Sequence, residues 1–205
     1  MSTISFYTNP MSRGQIARWA LHEAGADYEQ VLLEYGTSMK AEDYLKINPM
    51  GKVPAIQHEG KVVTEGPAIC AYLAEAFPDA GLAPAAAERA DYYRWLFFAA
   101  GPVEAAITNK SLGFEVAQDK EMTAGYGNYD RVVDVLEAKF RADDYVCGSR
   151  FTMADVYVGA QVIWGTQFGT LPARDSFVAY AARLTDRAAY NAAKAIDERL
   201  IAENG

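Results

Sequence analysis

Few residues in this chain stand where their chemistry could be used. Cys70 and Cys147 are its two cysteines and make neither a CxxC pair nor a metal-spaced set. They read as two buried structural thiols rather than a disulfide framework. His22 and His58 lack partners at a useful spacing. What remains is a polar group just past the first apolar-polar alternation: Tyr7, Asn9 and Ser12, the last within Pro10-Met11-Ser12-Arg13-Gly14. A serine at that place can cap the helix that follows. Its hydroxyl also stands beside the partial positive charge of a helix N-terminus, where a negative group is favoured. Tyr7 reads equally as core at the end of a half-buried strand, and Asn9 carries an amide hydrogen.

The elements that must hold these residues follow from periodicity. Ile4 to Tyr7 alternates as a short strand that Asn9-Pro10 ends. From about Arg13, Ala17, Leu21 and Ala24 recur at helical spacing, and Gly25 stands where a C-terminal cap belongs. Tyr28 to Leu33 reads as a second strand, so the start is a βαβ unit with a parallel pair. A weakly helical stretch from Ser38 to Lys46 leads to the turn Asn48-Pro49-Met50-Gly51. Val53 to Gln57 and Lys61 to Thr64 flank Glu59-Gly60 as a hairpin, and Pro67 fits the first position of a helix running to about Ala76.

This order is that of a thioredoxin-like α/β domain, over 1–78. Residues 79–87, rich in alanine and proline, read as a linker. Beyond them, 88–205 reads as an all-α domain. Its helices are expected over 89–112 with a bend at Gly101-Pro102, then 123–140, 154–165, 176–184 and 188–203. Thr152-Met153-Ala154-Asp155 is its best local motif, a capping box worth about 1 kcal/mol.

Composition narrows the function. The net charge of −8 weighs against nucleic acid, whose recognition needs a basic face. No apolar run reaches the roughly 18 residues of a membrane span. The first residues show no basic region followed by an apolar stretch, so a cytoplasmic protein is the expectation.

Three segments resemble the cytosolic glutathione transferases, in the right order over nearly the whole chain. Asn48 to Ala55 is similar to the segment before that family's third strand. Thr64-Glu65-Gly66-Pro67-Ala68-Ile69 resembles its acid-plus-small turn opening the third helix. Gly148 to Asp155 resembles its capping-box segment. The resemblance implies glutathione as co-substrate, with no metal or nucleotide, and a homodimer. Its chemistry is thiol activation: a thiol with an ordinary pKa of about 8.5 is mostly protonated at neutral pH, yet the thiolate is the nucleophile.

The resemblance assigns the activating hydroxyl to Ser12, as in the serine-type classes, with Tyr7 and then Asn9 as rivals. It implies a cis bond before Pro54, with the Val53 backbone pairing the cysteinyl part of glutathione. It places the γ-glutamyl end on Glu65 and Gly66, and the glycyl carboxylate on Lys40 and Lys52. The family has serine or threonine at the position of Gly66, and the lost hydroxyl costs about 1 kcal/mol of affinity. Met11, Phe98 and Trp164 are the candidates for an electrophile pocket, although core packing explains them equally well. The competing expectations are a glutathione-dependent isomerase or thiol oxidoreductase, and a transferase-like module that binds another protein. A cysteine near the first helix, which the oxidoreductase form uses, is replaced here by Ser12.

Overall fold

Ile4–Thr8 (β1), Tyr28–Leu32 (β2), Ala55–His58 (β3) and Lys61–Thr64 (β4) form one sheet in the order β2-β1-β3-β4. The structure is a computed structural model, and it describes residues 3–204. Met1, Ser2 and Gly205, the outer ends of the two expected domains, lie outside the described residues. β1 runs parallel to β2 and antiparallel to β3, and β3 and β4 make the expected hairpin. Glu59 and Gly60 turn that hairpin with φ of 50° and 73°, the paired positive angles that suit strand twist. The third strand begins two residues later than expected, at Ala55, because Pro54 has no N–H to give a ladder.

Helices α1 (Gly14–Ala24), α2 (Glu42–Leu45) and α3 (Gly66–Ala76) complete the thioredoxin-like arrangement. Burial alternates along β1. Ile4, Phe6 and Thr8 are buried, with Phe6 beneath the Arg18 guanidinium of α1 at 5.2 Å. Tyr7, on the opposite face, packs against Leu33, Met39 and Tyr44. That small second core fixes the segment between β2 and β3.

The helical region holds α4 (Arg89–Phe98), α5 (Glu104–Ser111), α6 (Tyr129–Ala142), α7 (Met153–Phe168) and α8 (Asp175–Thr185). α4 and α5 join through a wide π-helical turn, Ala99–Val103, which absorbs the interior Pro102 at the expected bend. α6 starts at Tyr129 rather than Thr123. Gly125 and Gly127 precede it, the latter at φ 70°, and Asn128 caps it by accepting the Arg131 N–H at 2.9 Å. α7 is buried nearly all round. At its start the fully buried Asp155 carboxylate accepts four hydrogen bonds: the Thr152 N–H (2.8 Å) and hydroxyl (3.1 Å), the Val146 N–H (2.7 Å) and the Tyr180 hydroxyl (2.9 Å).

The last helix, α9 (Ala188–Asn204), behaves differently. Residues up to Ala83 together with those from Asp186 onward form one compact unit, and Pro84–Thr185 forms the other. The sequence reading groups α9 with the preceding helices, whereas α9 packs on α1. A buried Arg18–Asp197 ion pair, a two-pronged Arg187–Glu23 pair at 2.6 Å and an edge-on Trp19–Tyr190 contact make that seam.

Candidate functional site

Ser12 lies in the turn from β1 into α1. Its hydroxyl donates to the Asn9 carbonyl at 2.6 Å and accepts the Gly14 N–H at 2.9 Å, so it holds the turn into α1, whose N-cap position is Arg13. Asn9 builds the same turn. Its Oδ1 accepts the Met11 N–H (2.9 Å) and its Nδ2 donates to the Leu33 carbonyl (2.8 Å), tying the turn to the end of β2. Tyr7 directs its hydroxyl to Gln57 Oε1 at 3.4 Å, and its ring meets Tyr44 at 5.6 Å.

A cleft of about 200 Å³ opens beside Ser12. Arg13, Tyr35, Gly36, Met39, Lys40, Gly51, Lys52 and Val53 complete its wall. Of the residues singled out in the sequence, Ser12, Lys40, Lys52 and Val53 therefore meet in one place. Tyr7, Asn9, Met11, Pro54, Glu65 and Gly66 are not among its lining residues.

Several backbone features shape this wall. Lys40 Nζ donates to the Met50 and Gly51 carbonyls at 3.2 and 2.9 Å, fastening the turn before Pro54. Gly51 has φ 58°, and a Cβ there would come 2.7 Å from the Met39 carbonyl oxygen. The Lys52 carbonyl accepts the Tyr44 hydroxyl at 2.5 Å and the Asn48 amide at 2.8 Å, while its side chain is exposed. Burial pushes the Tyr44 hydroxyl up to about 12, which keeps it a donor. The Val53–Pro54 bond is cis. Two ammonium groups, the Arg13 guanidinium and the N-terminus of α1 thus surround a cleft in an otherwise acidic protein, a setting that suits an anion.

At the start of α3, Glu65 is exposed at φ 66°, ψ 117°. Such a conformation costs a side-chain-bearing residue about 1–3 kcal/mol and is concentrated at functional sites. No side chain caps α3 among the described residues, so the N–H groups of its first turn have no side-chain acceptor there. Met11 is 69% exposed. Phe98 is half-buried with its ring edge-on to Trp95 at 5.4 Å, and Trp164 is half-buried on α7.

Two family models cover most of the chain: the glutathione S-transferase N-terminal domain matches residues 2–75 and the C-terminal domain residues 95–181. The chain belongs to the glutathione S-transferase family. Protein LigF of Sphingobium sp. is 47% identical over 62 residues, a stretch covering 30% of this chain and 24% of LigF. Glutathione S-transferase GstA of Escherichia coli O157:H7 is 28% identical, over 70% of this chain and 73% of its own. A sphingomonad glutathione S-transferase solved with glutathione is 28% identical at a TM-score of 0.76, covering 95% of this chain and 98% of that one.

This glutathione S-transferase family member has site features that the sequence reading passed over. Tyr35 and Gly36 lie on the cleft wall; the Tyr-Gly pair after β2 is their one signal. Thr8, fully buried, touches Gly14 from below, which no periodicity reveals. Both histidines do have partners, each a tyrosine hydroxyl: His22 with Tyr28 at 3.1 Å, His58 with Tyr72 at 2.8 Å. Cys70 is fully buried and its thiol is pushed up to about 12 by burial. Cys147 is only half-buried rather than buried, and desolvation pushes it up to about 11, so neither is a ready thiolate. Among the described residues no helix is long and apolar enough to cross a membrane.

Proposed function

We propose that this chain is a glutathione transferase that binds glutathione in the cleft beside Ser12, stabilises its thiolate and conjugates it to small hydrophobic electrophiles. The observation that carries the reading is the convergence of the Ser12 hydroxyl, the N-terminus of α1 and two lysines on one cleft of about 200 Å³. Ser12 turns its hydroxyl from the Asn9 carbonyl toward the sulfur. The turn survives this, because the Asn9 carbonyl still accepts the Ser12 N–H at 3.1 Å. The thiol proton leaves to solvent. Each pKa unit of lowering corresponds to about 1.36 kcal/mol, so two units ask for about 3 kcal/mol from one donor and a helix terminus.

The remaining roles follow the family resemblance. Val53 offers its backbone, next to the cis Pro54, to the cysteinyl part of glutathione. Lys40 and Lys52 take the glycyl carboxylate, and Glu65 with the N–H groups beside Gly66 takes the γ-glutamyl end. The relative solved with glutathione supports this choice of co-substrate. Met11, next to Ser12 and exposed, contacts the electrophile. The active form is a homodimer, a reading supported by exposed Phe97 and Tyr93 on α4 and Val62 on β4.

The test is a pH titration of protein with glutathione, followed by thiolate ultraviolet absorbance. The bound thiol is expected to ionise about two units below its solution value. Ser12→Ala should abolish that lowering, while Tyr7→Phe leaves it. Loss of the lowering in Tyr7→Phe alone transfers the role to Tyr7, and no glutathione binding by the wild type overturns the enzyme reading.

A further inference from the structure

The Thr8 hydroxyl is fully buried at the end of β1 and has no hydrogen-bond partner among the described residues. A buried hydroxyl left unpaired is destabilising and uncommon, and calls for a reason. Its place supplies one. A Cβ built on Gly14 would stand 2.0 Å from Thr8 Oγ1 and 2.9 Å from Ser12 Oγ, so the two hydroxyl oxygens border the same small space beside Gly14 and are no more than about 5 Å apart. Only glycine at position 14 leaves the space between them open.

Ser12 Oγ can accept two hydrogen bonds. One comes from the Gly14 N–H. The second acceptor position of that oxygen is unfilled among the described residues, and turning the Ser12 proton from the Asn9 carbonyl to a thiolate redirects it. The Thr8 O–H is the unengaged donor nearest to it among the hydroxyls around this turn. We infer that Thr8 is a positioning residue for thiol activation, its hydroxyl donating to Ser12 Oγ when Ser12 donates to the sulfur. This rests on the reading of Ser12 as the thiol's donor. Neither hydroxyl loses its proton; the thiol proton still goes to water. A chain of two donors polarises the second, and the site's low local dielectric strengthens the effect. The Thr8 hydroxyl is thus left unpaired in the resting turn and paired in the thiolate state.

The experiment compares Thr8→Val, Thr8→Ser and Ser12→Ala with the wild type. It reads the pKa of bound glutathione and, separately, the affinity for S-methylglutathione, which has no thiol to ionise. Thr8→Val is expected to raise the bound thiol pKa by about half a unit or more, with S-methylglutathione affinity unchanged and Thr8→Ser restoring the wild-type value. Thr8→Ala serves as a second hydroxyl-free variant and should match Thr8→Val. An unchanged thiol pKa in both, with the lowering abolished in Ser12→Ala, overturns the relay and leaves Ser12 standing. A parallel loss of S-methylglutathione affinity makes Thr8 a packing residue and also overturns it. A lowering that survives in Ser12→Ala removes the Ser12 reading, and the relay with it.

Discussion

Arg18 Nε donates to Asp197 Oδ1 at 3.0 Å from a position where neither side chain meets solvent. The pair is embedded but incomplete. Arg18 Nη1 also reaches the Tyr28 hydroxyl (3.0 Å) and Gln30 Oε1 (3.1 Å), while Arg18 Nη2 and Asp197 Oδ2 are buried without partners among the described residues. Burial pushes the Asp197 carboxyl up to about 6, with Arg18 opposing that rise less strongly. The folded chain therefore takes this proton more readily than the unfolded chain does. The stabilisation is full below about pH 4 and is lost as the pH rises through about 6.

Asp197→Asn removes this titration. Between pH 7 and pH 4.5 the stability of the wild type should rise relative to Asp197→Asn by about 2 kcal/mol, read as urea midpoints at each pH. His22, whose own pKa is lowered by burial and by Arg18, is present in both proteins. A difference that does not change with pH would remove Asp197 as the titrating group.

Gly14→Ala should cost about 1–3 kcal/mol, because its methyl would arrive 2.0 Å from Thr8 Oγ1. Thr8→Ala in the same chain takes away the colliding oxygen and should return most of the loss. Denaturant midpoints of the two single variants and the double variant form the cycle. Plain additivity would mean that the two residues do not compete for space.

Gly66→Ser restores the hydroxyl that the family pattern has at this position. Glutathione should bind about fivefold more tightly, the equivalent of about 1 kcal/mol, measured by calorimetric titration. Unchanged affinity would move the γ-glutamyl end away from the start of α3.

Asp155→Ala leaves the Val146 and Thr152 N–H groups and the Tyr180 hydroxyl without their shared acceptor. The expected loss is at least about 3 kcal/mol, well beyond the roughly 1 kcal/mol of an ordinary helix cap. Urea denaturation measures it. A loss of cap size alone would show that the four-donor arrangement adds nothing.

Local pattern carried much of this architecture. Strand alternation at Ile4–Thr8, the Glu59-Gly60 turn and the Thr152–Asp155 box each declare themselves within a few residues, because the forces that set them act over that range. The start of α6 was misplaced for a local reason: Gly125 and Gly127 outweigh the helical period of their neighbours, and Asn128 caps the next turn. In the site, the Ser12 turn and the Asn48–Gly51 turn were legible from composition. Their meeting at one cleft depends on β1 pairing with β3, which composition does not reveal and only the family resemblance implied. Arg18 and Asp197 were invisible for the same reason. An arginine on a helix face reads as solvated until its partner, 179 residues away, is in place.

That separation bears on how the chain is made. Synthesis proceeds from the N-terminus, and early segments can begin to fold before later ones exist. The helix that begins just after Ser12 emerges with a guanidinium whose carboxylate partner is joined 179 residues later. Until α9 has been made, the Arg18 guanidinium lacks the carboxylate it pairs with in the folded unit. A ribosome stalled anywhere before Asp186 would hold α1 without the helix that packs on it.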